Sequence, residues 1–173
     1  MAHRAARTTM RAMRLFAGRP RWARILLTVA LAGLALLVLA QALPYGRSHT
    51  NPPVTKEPAW NAPQTRELAL RACGDCHSNL TVWRWYSNVA PVSWLVQADV
   101  DGGRGALNLS EWDKPQDTSP ADVADAIRGG SMPPWVYTIV HGSSKLSAAE
   151  KQQLIDGLAA TFAASPPLGG GGG

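Results

Sequence analysis

The order of apolar and polar residues predicts one long apolar helix near the start of the chain. Residues 25–43 form a run of 19 without a charge, in which Thr28 and Gln41 are the polar positions. A helix of that length rises about 28 Å, enough to cross the hydrocarbon core of a bilayer, and Pro44 ends it. We expect a transmembrane helix rather than a buried core helix, because the run has no polar face.

Shorter helical patterns follow, without convincing alternation typical of strands. Apolar residues recur at helical spacing over 63–72 and 91–100. Ser119 and Ser147 each precede an acid by three residues, which predicts a helix N-cap at both. The expected stop signals and core positions of these last two helices are Gly129, Gly130, Leu154, Ile155, Leu158 and Phe162. The prediction is a mainly α domain of about four short helices and long loops.

These patterns divide the chain into five segments. We expect a basic leader (1–24), the transmembrane helix (25–43), a proline-rich linker (44–61), a compact domain (62–163) and a flexible Gly-rich tail (164–173). Because prolines interrupt the linker repeatedly, it is predicted to be extended and poorly packed.

The positive charge is concentrated in the leader. The chain has a net charge of +5, yet seven of its 17 basic residues lie in the first 24, and the rest of the chain is at −2. An evenly basic surface for nucleic acid is therefore not expected. Arginines on one flank of the apolar run predict a cytoplasmic N-terminus and an exported domain. A cleaved signal peptide is the alternative, since Ala40-Gln41-Ala42 has the form of a cleavage site; we favour the uncleaved anchor.

Cys73-Gly-Asp-Cys76-His77 is a C-x-x-C-H motif, the attachment signature of c-type haem. Its spacing lets two thiols add to the two vinyl groups of the haem while the next residue, His77, binds the iron. The chain has two cysteines, too few for a disulfide framework. A zinc site, a thioredoxin-like redox pair and a simple disulfide are the alternatives.

A second axial ligand is expected if the haem carries electrons without binding a substrate. Met132 is the one methionine beyond the leader, in the loop sequence Gly-Gly-Ser-Met-Pro-Pro-Trp. We expect its thioether to bind the iron, with His141 as the alternative sixth ligand. Methionine ligation raises the reduction potential relative to two histidines.

At these residues the chain resembles the bacterial haem-binding domain family of small exported, cytochrome-c-like proteins. The matching stretches are Cys73–Thr81, Trp85–Val96, Gly103-Arg104, Leu107–Trp112, Met132–Pro134 with Tyr137 and His141, and Leu146-Ser147. The resemblance implies that Cys73 and Cys76 hold the haem, that His77 is the proximal ligand and that Met132 is the distal one. Arg84 and Leu109 depart from the family pattern, at positions away from the ligands.

Other residues of the domain are candidates for contacts with the haem. Trp83 and Trp85, with Tyr86 and Trp94, are expected against the porphyrin. Arg104, in a predicted Gly-rich turn, is a candidate partner for a haem propionate, with a solvated surface position as the alternative. The segment 108–112 is expected to fasten a loop, and Glu111 as an acid/base beside an open haem is the functional alternative.

The sequence thus predicts a membrane-anchored protein with one covalent haem c, which transfers electrons on the outer face of the cytoplasmic membrane. Its expected partners are membrane lipid and redox proteins of the membrane or periplasm, and no nucleic acid. The alternatives are a peroxidase-like or small-ligand-reactive haem enzyme, and a sensor or accessory subunit of a membrane oxidoreductase. An electron carrier is favoured over a catalyst.

Overall fold

The structure is a computed structural model and describes residues 20–168. Most of the basic leader and the last five glycines lie outside these residues, so the predictions made for them are not addressed. The α-helices are α1 (Arg21–Ala40), α2 (Pro63–His77), α3 (Val92–Ala106), α4 (Pro120–Gly129), α5 (Trp135–Val140) and α6 (Ala148–Ala164). Two 3-10 turns span Trp85–Asn88 and Gly142–Ser144. Residues 20–168 contain no strand, only an isolated bridge between Lys56 and Glu111, which confirms the mainly α prediction.

The chain divides into two compact units, Met1–Pro44 and Tyr45–Gly173. The described part of the first consists mainly of α1, which has a mean hydropathy of 2.4 and buries none of its residues. By length and composition it is able to cross a membrane. The Thr28 hydroxyl and the Gln41 side-chain amide each donate a 2.9 Å hydrogen bond to a carbonyl four residues earlier. Both polar groups of the apolar run are therefore satisfied within the segment, as a lipid environment requires.

The core of the second unit lies between α2, α4 and α6. The predicted inward face of α6 is confirmed, because Leu154, Ile155, Leu158 and Phe162 are all buried. Trp112 is 1% exposed and packs edge-to-face on Phe162, with ring centroids 4.9 Å apart. The other buried apolar residues of this core are Leu68, Ala69, Ala72, Leu107, Leu109, Ile127 and Leu146.

The predicted helix caps are also confirmed. The Ser119 hydroxyl accepts from the backbone N–H of Asp122, and the Asp122 carboxylate accepts from the backbone N–H of Ser119. Ser147 and Glu150 make the same reciprocal pair at the start of α6. These bonds satisfy N–H groups that a helix start leaves free. Gly130 ends α4 in the left-handed conformation, with φ of 75°.

Helix α3 runs six residues further than predicted. The sequence indicated a Gly-rich turn around Arg104, but the helix continues to Ala106, so that prediction is wrong. A Cβ built on Gly103 would overlap the backbone carbonyl of Cys76. The glycine therefore serves the close approach of α3 to the end of α2, and packing overrides its weak helix propensity.

The prediction of a poorly packed linker is also wrong. The backbone N–H groups of Thr55 and Lys56 both donate to the Ser110 carbonyl, at 3.0 and 3.2 Å, and Trp112 N–H donates to the Lys56 carbonyl at 2.9 Å. Prolines interrupt the segment, but its backbone pairs with the loop around Ser110. The compact unit accordingly begins at Tyr45 rather than at residue 62.

Candidate functional site

The C-x-x-C-H motif forms the last turn of α2. The helix ends at His77, and Ser78, fully buried, takes an extended conformation. The Ser78 hydroxyl donates to the Gly74 carbonyl at 2.6 Å and accepts from the Leu80 N–H at 3.0 Å. One hydroxyl thus satisfies a carbonyl of the last turn and also fixes the exit of the chain. The two cysteines, Cys73 and Cys76, thus lie one helical turn apart, and His77 directly follows Cys76.

The ring of His77 is held in one orientation and one tautomer. Its Nδ1 lies 3.1 Å from the Leu107 carbonyl oxygen. Because a carbonyl only accepts, Nδ1 carries the proton and Nε2 keeps its lone pair. Burial lowers the pKa of His77, with smaller opposing contributions from the carbonyls of Leu107 and Gly103. A neutral imidazole with one nitrogen bound to a backbone carbonyl is the usual form of a metal-ligating histidine.

Two apolar cavities, of about 160 and 220 Å³, lie against the motif. Cys73, His77, Ala106 and Met132 line both of them. Met132 follows α4, and its backbone N–H donates to the Ala126 carbonyl at 3.1 Å. The structure therefore brings the predicted distal ligand to the same space as the predicted proximal one, although 55 residues of chain separate them.

The cysteine thiols lack the features of a redox-active pair. Burial raises the pKa of Cys73 to about 12 and that of Cys76 to about 11. Reactive pairs instead have lowered values, often at a helix N-terminus, whereas these cysteines lie at the C-terminal end of α2. Within residues 20–168 no cluster of three His, Cys, Asp or Glu side chains is placed to hold a metal ion, so the zinc alternative finds no ligand set there.

His141, the alternative distal ligand, is 8% exposed and has both ring nitrogens engaged. Its Nδ1 lies 3.1 Å from the Tyr137 carbonyl oxygen and must donate to it. Its Nε2 is then the acceptor for the Tyr86 hydroxyl, at 2.7 Å. The ring also packs on that of Tyr137, with centroids 4.1 Å apart. Binding iron through His141 would require breaking these contacts, so the geometry favours Met132.

The tryptophans that follow the motif do not line either cavity. Trp85 is 78% exposed. Trp83 stacks on His49, with centroids 4.6 Å apart, and its ring N–H donates to Asn51. Proximity in sequence to the motif therefore did not translate into proximity to the cavities. The aromatic side chain that does line a cavity is Tyr137.

Arg104 contacts protein oxygens instead of the cavities. Its guanidinium donates to the carbonyls of Ser78 and Thr50 at 2.8 and 2.9 Å. It also donates to the Asn51 side-chain oxygen and the Thr81 hydroxyl, at 3.0 and 2.9 Å. These bonds join segment 45–61 to the turn after the motif. No described lysine or arginine lines either cavity, so propionate pairing by Arg104 remains a prediction without a contact behind it.

The segment 108–112 fastens the loop that follows α3, as predicted. The Asn108 side chain donates to Asn79 and accepts from the Ser110 N–H, both at 2.9 Å. The Ser110 hydroxyl in turn accepts from the Asn79 N–H at 2.9 Å. Glu111 accepts from Asn79 and pairs with Lys114, and these contacts lower its pKa. The carboxylate is thus a structural acceptor and lines neither cavity.

Sequence reasoning assigned no role to Asp75 and Tyr137. The Tyr137 hydroxyl donates to the Asp75 carboxylate at 2.7 Å. Asp75 lies between the two cysteines, and Tyr137 lies five residues after Met132. The sequence signal was the place of Asp75 inside the motif and of Tyr137 among the matching residues, but their pairing depends on the fold.

The donor set fits a haem better than a bare metal ion. Two thiols, an imidazole nitrogen and a thioether surround apolar space, and the cavity walls are mostly apolar, as a porphyrin requires. This arrangement is that of a small helical haem-binding protein. The chain belongs to the haem-binding domain family, whose sequence profile matches residues 35–160. No curated protein and no solved structure matches the chain.

Proposed function

We propose that this protein is a membrane-anchored c-type cytochrome that carries electrons on the outer face of the cytoplasmic membrane. Cys73 and Cys76 hold one haem through thioether bonds, and His77 and Met132 are its axial ligands. The proposal goes beyond the haem binding that family membership supports.

The single observation that carries the proposal is the hydrogen bond from His77 Nδ1 to the Leu107 carbonyl. This hydrogen bond leaves Nε2 of His77 with a free electron pair, and His77 lines a cavity that Met132 also lines. This orientation is what a proximal ligand needs before the haem arrives.

The position of the thiols supports covalent attachment. Both cysteines line the 160 Å³ cavity, so each S–H is able to add across one vinyl double bond of a haem placed there. Each addition would break the S–H bond and the π bond of the vinyl group, and would form a C–S bond at one vinyl carbon and a C–H bond at the other, with no net oxidation or reduction.

Electron transfer is supported by the ligand set. When bound, the haem iron supplies a one-electron couple, and two protein ligands leave it no open position for a substrate. Met132 provides a soft thioether from a loop of the same domain. Its neutral sulfur stabilises the reduced iron and raises the potential relative to two histidines.

The membrane location rests on α1 and the leader. The helix is long and apolar enough to span a bilayer, and the arginines that precede it favour a cytoplasmic N-terminus. The haem domain is then exported, which agrees with the extracytoplasmic attachment of c-type haem. Its partners are redox proteins of the membrane or periplasm.

The proposal is tested with the full chain, expressed with a haem-attachment system and purified in detergent. We expect haem staining at the protein band on a denaturing gel, lost when Cys73→Ser and Cys76→Ser are combined. We also expect a low-spin ferric spectrum with a long-wavelength sulfur-to-iron charge-transfer band. Met132→Ala should abolish that band and lower the potential, while Met13→Ala, in the leader, should change neither. A high-spin wild-type spectrum would favour the ligand-reactive alternative.

A further inference from the structure

The segment that carries Met132 is weakly held by packing. On its N-terminal side, the Met132 N–H and the Ser131 hydroxyl both donate to the Ala126 carbonyl, at 3.1 and 3.2 Å. On its C-terminal side lies α5, which has six residues and buries none of them. Apolar burial thus contributes little on that side, and specific polar contacts must hold it.

The first of these contacts is the hydrogen bond from Tyr137 to Asp75. The phenol oxygen lies 2.7 Å from one carboxylate oxygen, and the other carboxylate oxygen accepts from the Val82 N–H at 3.0 Å. The Asp75 carbonyl also accepts from the Thr81 hydroxyl at 2.7 Å. Asp75 is therefore fixed by its own surroundings, and it offers Tyr137 a stationary charged acceptor.

The second contact is made by His141. Its Nδ1–H donates to the Tyr137 carbonyl, and its Nε2 accepts from the Tyr86 hydroxyl. This pair holds the end of α5 to the 3-10 turn at Trp85–Asn88. Tyr137 differs from His141 in one respect that matters for the iron, since Tyr137 lines the same cavity as Met132 and the two cysteines.

We propose that Tyr137 is the positioning residue of the distal ligand: its hydrogen bond to Asp75 holds the Met132 segment against the motif and so keeps the thioether on the iron. This inference rests on the proposed function and deepens it. Asp75 lies between the two attachment cysteines, so the bond fixes α5 directly to the part of the chain that holds the haem. Burial and the Asp75 carboxylate raise the pKa of Tyr137, which keeps the donating proton in place.

The hydrogen bond would then favour electron transfer over the binding of small ligands at the iron. With it, His77 and Met132 would both stay available to hold the iron, which would then supply electron transfer. Without it, Met132 would be displaced more readily, and small ligands such as imidazole or cyanide would compete better for its position.

The test compares Tyr137→Phe with Tyr45→Phe in the haem-bearing full chain. Both variants remove one phenol oxygen, and Tyr45 lines neither cavity. In Tyr137→Phe we expect a weakened sulfur-to-iron band, a lower potential and imidazole binding about ten- to a hundredfold tighter, the weight of a hydrogen bond to a charged group. Tyr45→Phe should match wild type in all three, and covalent haem should be retained in both.

Asp75→Asn provides an independent variant. The amide leaves one oxygen for two donors, so its imidazole affinity should lie between wild type and Tyr137→Phe. The double variant should bind imidazole no more tightly than Tyr137→Phe alone, because both changes act on the same hydrogen bond. If the two changes raised the imidazole affinity additively, the result would contradict the proposal.

The outcomes separate the two levels of inference. Wild-type protein without covalent haem would contradict the proposed function. Wild-type protein with haem and the sulfur-to-iron band, but with Tyr137→Phe indistinguishable from Tyr45→Phe, would overturn only the role of Tyr137. Loss of covalent haem in Tyr137→Phe would also overturn it, since the hydroxyl is assigned to the distal ligand and not to attachment.

Discussion

Gly103 lies against the backbone carbonyl of Cys76, so close that a Cβ on the glycine would overlap that carbonyl group. The crossing of α2 and α3 at this point carries the Leu107 carbonyl to His77, because Leu107 directly follows α3. A single glycine thereby links the packing of two helices to the orientation of His77, the proposed proximal ligand.

Gly103→Ala should therefore destabilise the domain by about 1–3 kcal/mol, the usual cost of overpacking, and reduce haem attachment. Gly105→Ala is the matched control, since a Cβ there meets open space within the same helix; it should stabilise by up to about 1 kcal/mol. Guanidinium unfolding followed by circular dichroism measures both. Equal stabilities for the two variants would contradict the close packing.

Arg104→Lys should loosen segment 45–61. A lysine cannot reproduce the four hydrogen bonds of the guanidinium, so we expect faster tryptic cleavage after Arg47 and Lys56. Arg128→Lys, at an exposed position on α4, serves as the control. If cleavage stays slow while the reduction potential shifts, Arg104 acts on a haem propionate instead.

Replacement by alanine should lower stability strongly at Trp112 and hardly at all at Trp85. Trp112→Ala removes a ring that is 1% exposed and should cost about 3–5 kcal/mol of stability. Trp85→Ala removes a ring that is 78% exposed and should change stability by less than about 0.5 kcal/mol. The haem spectrum of Trp85→Ala should equal that of wild type. A shifted spectrum would restore the contact with the porphyrin that its sequence position suggested.

Stability should fall in acid because of Glu150. Its hydrogen bonds to Ser147, together with Arg71, lower the pKa of Glu150 to about 2. A lowered folded-state pKa stabilises the protein above the unfolded value of about 4.3, and that contribution is lost as the pH falls toward about 2. Unfolding midpoints measured from about pH 6 to pH 2 should decline less steeply in Glu150→Gln. Identical slopes would show that the carboxylate contributes nothing.

Local signals in the sequence were sufficient to predict individual helices, but not the contacts between them. Ser147 with Glu150, and the spacing of Leu154 and Phe162, predicted α6 because caps and a buried face are properties of one segment. The segment around Arg104 was wrongly predicted as a Gly-rich turn, because glycine often ends a helix. Helix α3 continues through Gly103 because that residue packs closely against Cys76, which lies on another helix.

The same distinction holds for the candidate site: residue types were visible in the sequence, but long-range contacts were not. The sequence singled out the three motif residues and Met132 because these residue types are distinctive in this chain, and the fold places all four around one cavity. The hydrogen bond between Asp75 and Tyr137 could not, since 62 residues separate the two and neither is distinctive alone. The linker prolines gave no indication that Thr55 and Lys56 pair with Ser110, because that is a long-range contact that composition does not encode.

Peptide mass spectrometry tests the central claim most directly. Trypsin cuts after Arg71 and Arg84, so Ala72–Arg84 is released as one peptide that contains both cysteines and His77. From the membrane-purified full chain we predict this peptide with one haem added and no free thiol. Recovery of the peptide with two free thiols or an internal disulfide, from protein that carries haem, would contradict covalent attachment.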